Sequence, residues 1–344
     1  MSLKKRERRV QAGQRVVKSF PDIPLEQALS LVISAKRAEG LRDRSLEDYS
    51  KNYGYFVNWL REKYPEITYV GDVTNAMIRD YVAYLRYDHV RYDGHKNIPT
   101  ENQRVGLSDT TVNIRLRTLK AIFNQMERDE LIEVNPTTKS KLIRQDVDLT
   151  NCLTDDEVKA ILAQPNQRDF VGFRDYVAIV LLLDSGMRIS EMLTRSIPDI
   201  DFQTRFISAP GSSTKNRKPR LIPISGHTAR LLLQLIEENR QHFTTDRLFI
   251  SCYGDPISAN HFNKRLKYYG EKAGVSDKKM TAHVYRHTWA KSMVINGADP
   301  FTVQKMGGWS DIRTMRRYIQ MDTEDVRRSH DEHSPAARFV KGRK

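Results

Sequence analysis

Residues 205–225 read RFISAPGSSTKNRKPRLIPIS: two short runs of alternating apolar and polar positions flank a Pro-Gly-Ser-Ser turn rich in lysine and arginine. Period-two alternation over so short a length, interrupted by turn formers, predicts an antiparallel strand pair. Its tip carries Lys215, Arg217, Lys218 and Arg220. Almost everything around it is spaced for helix. The chain is therefore expected to be mainly α with a small antiparallel β-sheet.

Working outward, LTDDEVKAILAQ (153–164) starts a helix that Thr154 caps, and FRDYVAIVLLLDSGMRISEML (173–193) continues the pattern. In that segment Phe173, Val177, Val180 and Leu181 are expected to form one buried stripe, which Gly186 interrupts just before Arg188. Helical spacing returns near 226–241 and 258–273, and again in TAHVYRHTWAKS (281–292). In GADPFTVQKMGGWSDIRTMRRYIQ (297–320), Gly307 and Gly308 break the helix ahead of Trp309, and Ser310 with Asp311 caps a turn carrying Tyr318.

The N-terminal part is helical in four pieces. PLEQALSLVISAKRAEG (24–40) stops at Gly40, and SLEDYSKNYGYFVNWLREKYP (45–65) opens with Ser45 and Asp48 in the manner of a capping box. TNAMIRDYVAYLRYDHV (74–90) is the third, and SDTTVNIRLRTLKAIFNQMERDELI (108–132) the fourth. The aromatic residues here are read as core. Arg115, Arg117 and Lys120 on the fourth helix form a cationic set that either lines a DNA groove or faces solvent. The expected organisation is a basic arm (1–20), a helical domain (21–140), a linker (141–150) containing part of NPTTKSKLIRQDVDL, a second domain (151–330) and a polar tail (331–344).

Composition narrows the partner. The 344 residues carry 57 Lys and Arg against 43 Asp and Glu, a formal charge of +14. Such an excess favours a polyanion, because neutralising phosphates releases counterions. The basic residues are spread through folded-looking segments instead of forming one polybasic anchor, so a membrane surface is not the expected partner. No run approaches the roughly 18 apolar residues of a membrane span, and MSLKKRERRVQAGQR lacks the apolar core of a signal peptide. A cytoplasmic location is expected, nucleoid-associated when the protein is bound to DNA. Cys152 and Cys252 stand in unrelated contexts, which indicates neither a disulfide framework nor a thiolate metal site.

The stretch HVYRH (283–287) admits two chemistries: His283 and His287 as metal ligands at i and i+4, or His283 and Arg286 aimed at a phosphate. A zinc-protease helix would place a glutamate after the first histidine, but Val284 stands there. A third ligand is missing, and Arg286 would repel a cation. No metal is expected.

Taken together, SGMRISEML, HVYRHTWA and MGGWSDIRTMRRY resemble, in order and spacing, the boxes of the tyrosine recombinases, or phage integrase family. The resemblance covers residues 150–325, and the helical module ahead of it is similar, more loosely, to the family's core-binding (SAM-like) domain. It implies a catalytic set of Arg188, Lys215, His283, Arg286, Trp309 and Tyr318. Trp309 takes the position, nine before the tyrosine, where many members have histidine and Cre-type members have tryptophan. Lys218 is the rival for the hairpin lysine, and Glu191 matches the family's acidic position, orienting Arg188 or supporting the fold.

The residue chemistry agrees. Cutting a phosphodiester needs a nucleophile, charge stabilisation on two non-bridging oxygens, and a proton for the departing hydroxyl. Ionising a tyrosine at pH 7 costs roughly 4 kcal/mol, since its pKa is about 10. Arg188 and Arg286 would supply compensating charge through planar guanidinium forks. His283, three residues before Arg286, is suited to moving the tyrosine proton. Trp309 either donates its indole N–H to the phosphate or packs beneath His283 and Arg286.

The resemblance further implies site-specific strand exchange on double-stranded DNA through a 3′-phosphotyrosine. The covalent link conserves the phosphodiester's energy, so no cofactor is expected. It also implies a tetramer on two DNA sites, with IQMDTEDVRRSHDEH (319–333) a candidate docking element or a polar terminus, and accessory DNA-bending proteins as possible partners. Arg115, Arg117, Lys120, Arg217, Lys218 and Arg220 are the candidate DNA contacts. A type IB topoisomerase and a catalytically silent DNA-binding regulator are the alternatives.

Overall fold

A computed structural model of the chain describes residues 20–91, 104–145, 152–211, 214, 218–312 and 323–336. The expected basic arm up to residue 19, and Lys215, Arg217 and Tyr318, lie outside the described residues. The chain divides into two compact units, Met1–Val147 and Asp148–Lys344.

The first unit contains α1 (Leu25–Ala38), α2 (Asp43–Lys63), α3 (Asn75–Tyr87) and α4 (Asp109–Arg128). Apolar residues at helical spacing turn Tyr53, Phe56, Val57 and Leu60 of α2 inward against Leu116, Leu119, Ile122 and Phe123 of α4. Phe56 is central: it meets Tyr81 edge-on with ring centroids 5.1 Å apart, and Phe123 edge-on at 6.2 Å. Tyr53 resolves its buried hydroxyl by donating to the Leu25 carbonyl at 2.9 Å, which fastens α2 to the head of α1.

One local expectation is corrected here. Ser45 does not open α2: the helix starts at Asp43, with Arg42 in extended conformation as its N-cap. The Ser45 amide already donates to the Arg42 carbonyl at 2.8 Å. The stretch expected as a linker is, in its first residues, fastened to this unit. Asn113 of α4 exchanges a pair of 2.9 Å hydrogen bonds with the main chain of Ile143, acting as a strand partner would. Lys120 Nζ donates to the Thr137 and Ser140 carbonyls, both at 2.8 Å.

The second unit contains α5 (Asp155–Leu162), α6 (Phe170–Ser185), α7 (Ile189–Leu193), the strands β1 (Ile200–Asp201), β2 (Phe206–Ala209) and β3 (Arg220–Pro223), then α8 (Gly226–His242), α9 (Ala259–Lys272), α10 (Ala282–Ile295), α11 (Pro300–Gly307) and α12 (Thr323–His333). The expected hairpin is β2–β3, with Ile207 opposite Ile222 and Ala209 opposite Arg220. β1 adds a third antiparallel strand of only two residues, too short to show alternation in sequence. Ile207, Ala209 and Ile222 face the core, while Ser208 and Leu221 face outward. Thr154 forms the expected cap of α5, accepting from the Glu157 N–H at 3.2 Å, and the Glu157 carboxylate accepts from the Thr154 N–H at 2.7 Å. α12 is polar and runs past the expected start of the tail at 331.

α6 differs from its expected single stripe. Val177 and Leu181 are buried and Phe173 and Val180 half-buried, but Arg174, Asp175, Ala178, Ile179 and Leu182 are buried as well. It is the central helix, packed against α8 and α10, so it has no solvent face to show. Its two charged residues survive there because they are paired. Arg174 donates to Asp175 at 2.6 Å and to the Ile250 carbonyl at 2.8 Å, while Arg265 and the Tyr269 hydroxyl of α9 donate to the other Asp175 oxygen at 2.7 and 2.8 Å. Among the described residues no helix is long and apolar enough to cross a membrane.

Candidate active site

α6 ends on Gly186, whose left-handed conformation (φ 59°, ψ 22°) turns the chain sharply. A Cβ there would also stand 2.1 Å from the Trp289 ring, so glycine is required by both conformation and space. The turn delivers Arg188 as the N-cap residue of α7, with one fifth of its side chain exposed. Its backbone N–H donates to Glu191 Oε2 at 3.1 Å and its Nη1 to Oε1 at 3.0 Å, while Nη2 reaches the Gly308 carbonyl at 3.4 Å.

Arg286 arrives from α10 and is 4% exposed. It donates to the Gly186 carbonyl and, at 2.6 Å, to the Gly307 carbonyl. Its guanidinium carbon lies 4.1 Å from the centre of the Trp309 ring, which in turn stacks on Trp289 at 6.1 Å. Gly307 must lack a side chain because a Cβ would stand 2.1 Å from Trp309. Gly308 ends α11 in the left-handed region (φ 67°), and a Cβ there would stand 2.6 Å from Arg220 Nη1. Two guanidiniums brought from positions 98 residues apart thus meet at one glycine corner.

His283 is exposed on α10, with its ring centroid 6.4 Å from that of His287. Burial, with the His283 and Arg286 charges adding to it, pushes the His287 pKa down to about 4, so His287 is neutral at pH 7. Trp309 is 7% exposed and packs beneath Arg286. Among the described residues no group of three or more His, Cys, Asp or Glu converges as a metal site would require.

The profile of the phage integrase family matches residues 151–325, just over half the chain, and that of the phage integrase SAM-like domain matches 31–142. The chain belongs to the phage integrase family. It is 26% identical over 320 residues to tyrosine recombinase XerD of Staphylococcus saprophyticus, covering 92% of this chain and all of the relative. XerD of Staphylococcus epidermidis is 29% identical over 237 residues, covering 68% of this chain and 79% of that one. Among solved structures, the Tn1549 transposon integrase in complex with a circular intermediate DNA superposes with a TM-score of 0.67 at 22% identity, covering 90% of this chain and 99% of that one. XerH recombinase bound to palindromic difH gives 0.65 at 18%, covering 91% and 85%. These two likenesses are of fold. The chain is a tyrosine-type site-specific DNA recombinase.

Within the chain, the remaining expected residues are disposed unevenly. Arg117 is exposed on α4, whereas Arg115 lies over the Tyr55 ring at 4.2 Å, beside an open cleft of about 470 Å³ that Asn52 and Thr118 also line. Lys120 holds main-chain carbonyls instead of pointing outward. Lys218 is exposed, and its carbonyl accepts a 2.9 Å bond from the Thr214 hydroxyl. Arg220 does not project from the hairpin. Its side chain is 10% exposed, and Nη1 and Nη2 donate to Glu191 Oε1 and Oε2 at 3.2 and 2.7 Å. Burial raises the Glu191 pKa, but the bond and charge of Arg220, then those of Arg188, outweigh it and hold the carboxyl below its ordinary value. The signal for Arg220 was present in sequence: in RLIP it shares the period-two face of Ile222, so if Ile222 is core, Arg220 points inward too and needs a carboxylate.

Proposed function

We propose that Arg188 and Arg286 grip the scissile phosphate of double-stranded DNA while the Tyr318 oxygen attacks phosphorus. The bond formed joins Tyr318 Oη to the 3′ phosphate, and the bond broken is that to the 5′ oxygen. His283 takes the phenolic proton, and a hairpin lysine, Lys215 with Lys218 as rival, protonates the leaving 5′ oxygen. The 5′ hydroxyl of a partner strand then reverses the step at a new junction. Trp309 fills the histidine position of the family by supporting Arg286 from below. Because a phosphodiester bond is exchanged for another phosphodiester bond, the strands rejoin without a separate energy source.

The observation that carries this reading is the meeting of Arg188 and Arg286 at the Gly307–Gly308 corner, only ten residues ahead of Tyr318. Two fixed cations stabilise the charge that develops on the non-bridging oxygens, and a site arranged in advance needs little reorganisation when that charge appears. The SAM-like and catalytic parts would hold DNA; the Tn1549 integrase is in complex with a circular intermediate DNA and XerH is bound to palindromic difH. A tetramer on two sites, accessory DNA-bending proteins and a cytoplasmic, nucleoid-associated location complete the proposal.

The test is to recover genomic DNA covalently held by the protein and map its ends. The expected result is a 3′ end on Tyr318 at one recurring sequence, with no adduct in Tyr318→Phe. Adducts that persist in Tyr318→Phe, or relaxation of any supercoiled plasmid without a recurring site, would overturn it.

A further inference from the structure

Glu191 is 1% exposed and serves two guanidiniums at once. Arg220 meets it end-on with two bonds, one to each oxygen, whereas Arg188 Nη1 has a single bond to Oε1, an oxygen that Arg220 already shares. Arg220 lies close against Gly308, whose carbonyl accepts from Arg188 Nη2. Arg220 Nε is buried with no hydrogen-bond partner, a cost that the ion pair must offset. A cation on the core face of a two-stranded hairpin is therefore held at some expense for one contact.

We propose that Arg220 is a positioning residue for Arg188, acting through Glu191. This rests on the reading that Arg188 grips the phosphate. A buried carboxylate left with Arg188 alone would take both of its Nη groups in a bidentate pair, the preferred geometry for these two ions, and cancel its charge. With Arg220 occupying both oxygens, Arg188 keeps one Nη off the carboxylate and the group of three retains a net charge of +1. Glu191 then orients Arg188 without neutralising it. Arg220 itself does not touch DNA.

The experiment uses the full chain and a nicked duplex carrying the site that the wild-type protein holds covalently. Cleavage rate at saturating protein, Kd by fluorescence anisotropy and Tm are read together. Arg220→Ala should lose about 10²-fold in cleavage rate, the scale set by losing one preorganised contact to the reacting charge, with Kd changed by less than about threefold. Arg220→Lys, which keeps the charge but not the fork, should fall between the two. The decisive variant is Arg220→Ala combined with Glu191→Gln, which removes the competing carboxylate. It should regain about tenfold over Arg220→Ala, because the net charge of +1 returns.

Three outcomes overturn the inference. A weakened Kd with a salt slope reduced by about one would make Arg220 a phosphate contact. A double variant no faster than Arg220→Ala, with rate tracking Tm, would make the pair structural only. If Arg220→Ala does not fold, Arg220→Lys at wild-type rate is sufficient to reject it. Absence of any wild-type adduct would instead sink the phosphate-gripping role of Arg188, and this inference with it.

Discussion

Arg286 lies over Trp309, its guanidinium carbon 4.1 Å from the ring centre, while one Nη donates to the carbonyl of Gly307, two residues before that tryptophan. One side chain thus closes the corner from two directions, through a cation–π contact and a charge-assisted hydrogen bond. Trp309→Ala is expected to destabilise the catalytic unit by about 3–5 kcal/mol, since it empties a buried ring site and uncovers Arg286. Trp309→Phe keeps a ring face under the guanidinium and should cost less than half as much. Chemical denaturation of both variants checks this, and equal losses would show that the ring face does not matter.

Gly186→Ala should be more damaging than any glycine substitution in open surface. The left-handed conformation is unfavourable for alanine, and the new methyl would stand 2.1 Å from Trp289, under the same corner. A loss of about 2 kcal/mol or more is expected, combining backbone strain of about 1 kcal/mol with overpacking of 1–3. Gly274 offers the control: it also has positive φ (75°), but open space around its Cα. Gly274→Ala should show only the backbone part in the same melting experiment.

Much of this was legible in sequence because the informative patterns are local. Helix periodicity located α1, α3, α4, α8 and α9, and Thr154 announced the cap of α5. What could not be read is what depends on a partner far along the chain. Ser45 and Asp48 satisfy the spacing of a cap, yet the α2 helix begins three residues sooner, with Arg42 extended as its N-cap. Asn113 looks like an ordinary polar residue on α4 until it meets the main chain of Ile143. At the site, the two arginines and His283 were visible as motif residues, whereas the sharing of Glu191 between Arg188 and Arg220 needed the hairpin folded against α7.

Asp175 gives a prediction of stability alone. It is fully buried and accepts from Arg174, Arg265 and Tyr269. Asp175→Ala leaves Arg174 as a buried uncompensated charge and should cost about 3–5 kcal/mol, whereas replacing the pair together with apolar residues should cost much less. Urea titration of the two variants reads the difference, and an Asp175→Ala loss below about 1 kcal/mol would mean that water reaches Arg174.

His287 and Glu191 predict two separate acid limbs. The folded His287 pKa is depressed from 6.5 to about 4, so between those values the unfolded chain binds more protons than the folded one. Its contribution is fully present above pH 6.5 and declines as pH falls towards 4. Glu191, also depressed, contributes stability present above its unfolded value of 4.5 and lost below it as pH falls through its folded value. His287→Gln should therefore flatten the stability profile between pH 6.5 and 4 and leave the lower limb in place. A wild-type profile with no slope in that window would contradict the buried neutral imidazole.

The cations of α4 separate by what they already hold. Arg117 is exposed, and as a phosphate contact its replacement by alanine should weaken DNA binding across sequences and lower the salt slope by about one, without moving Tm. Lys120 donates to the Thr137 and Ser140 carbonyls, so Lys120→Ala should lower stability by about 1–3 kcal/mol through two orphaned acceptors and leave the salt slope unchanged. Arg115 stands between these cases, since stacking on Tyr55 fixes its guanidinium beside an open cleft. If it reads a base edge there, Arg115→Ala should cost about 1–3 kcal/mol in binding to the cognate site and little on unrelated duplex. Titrating each variant against cognate and random DNA at several salt concentrations separates the three roles. An equal loss on both duplexes would reassign Arg115 to the phosphate backbone.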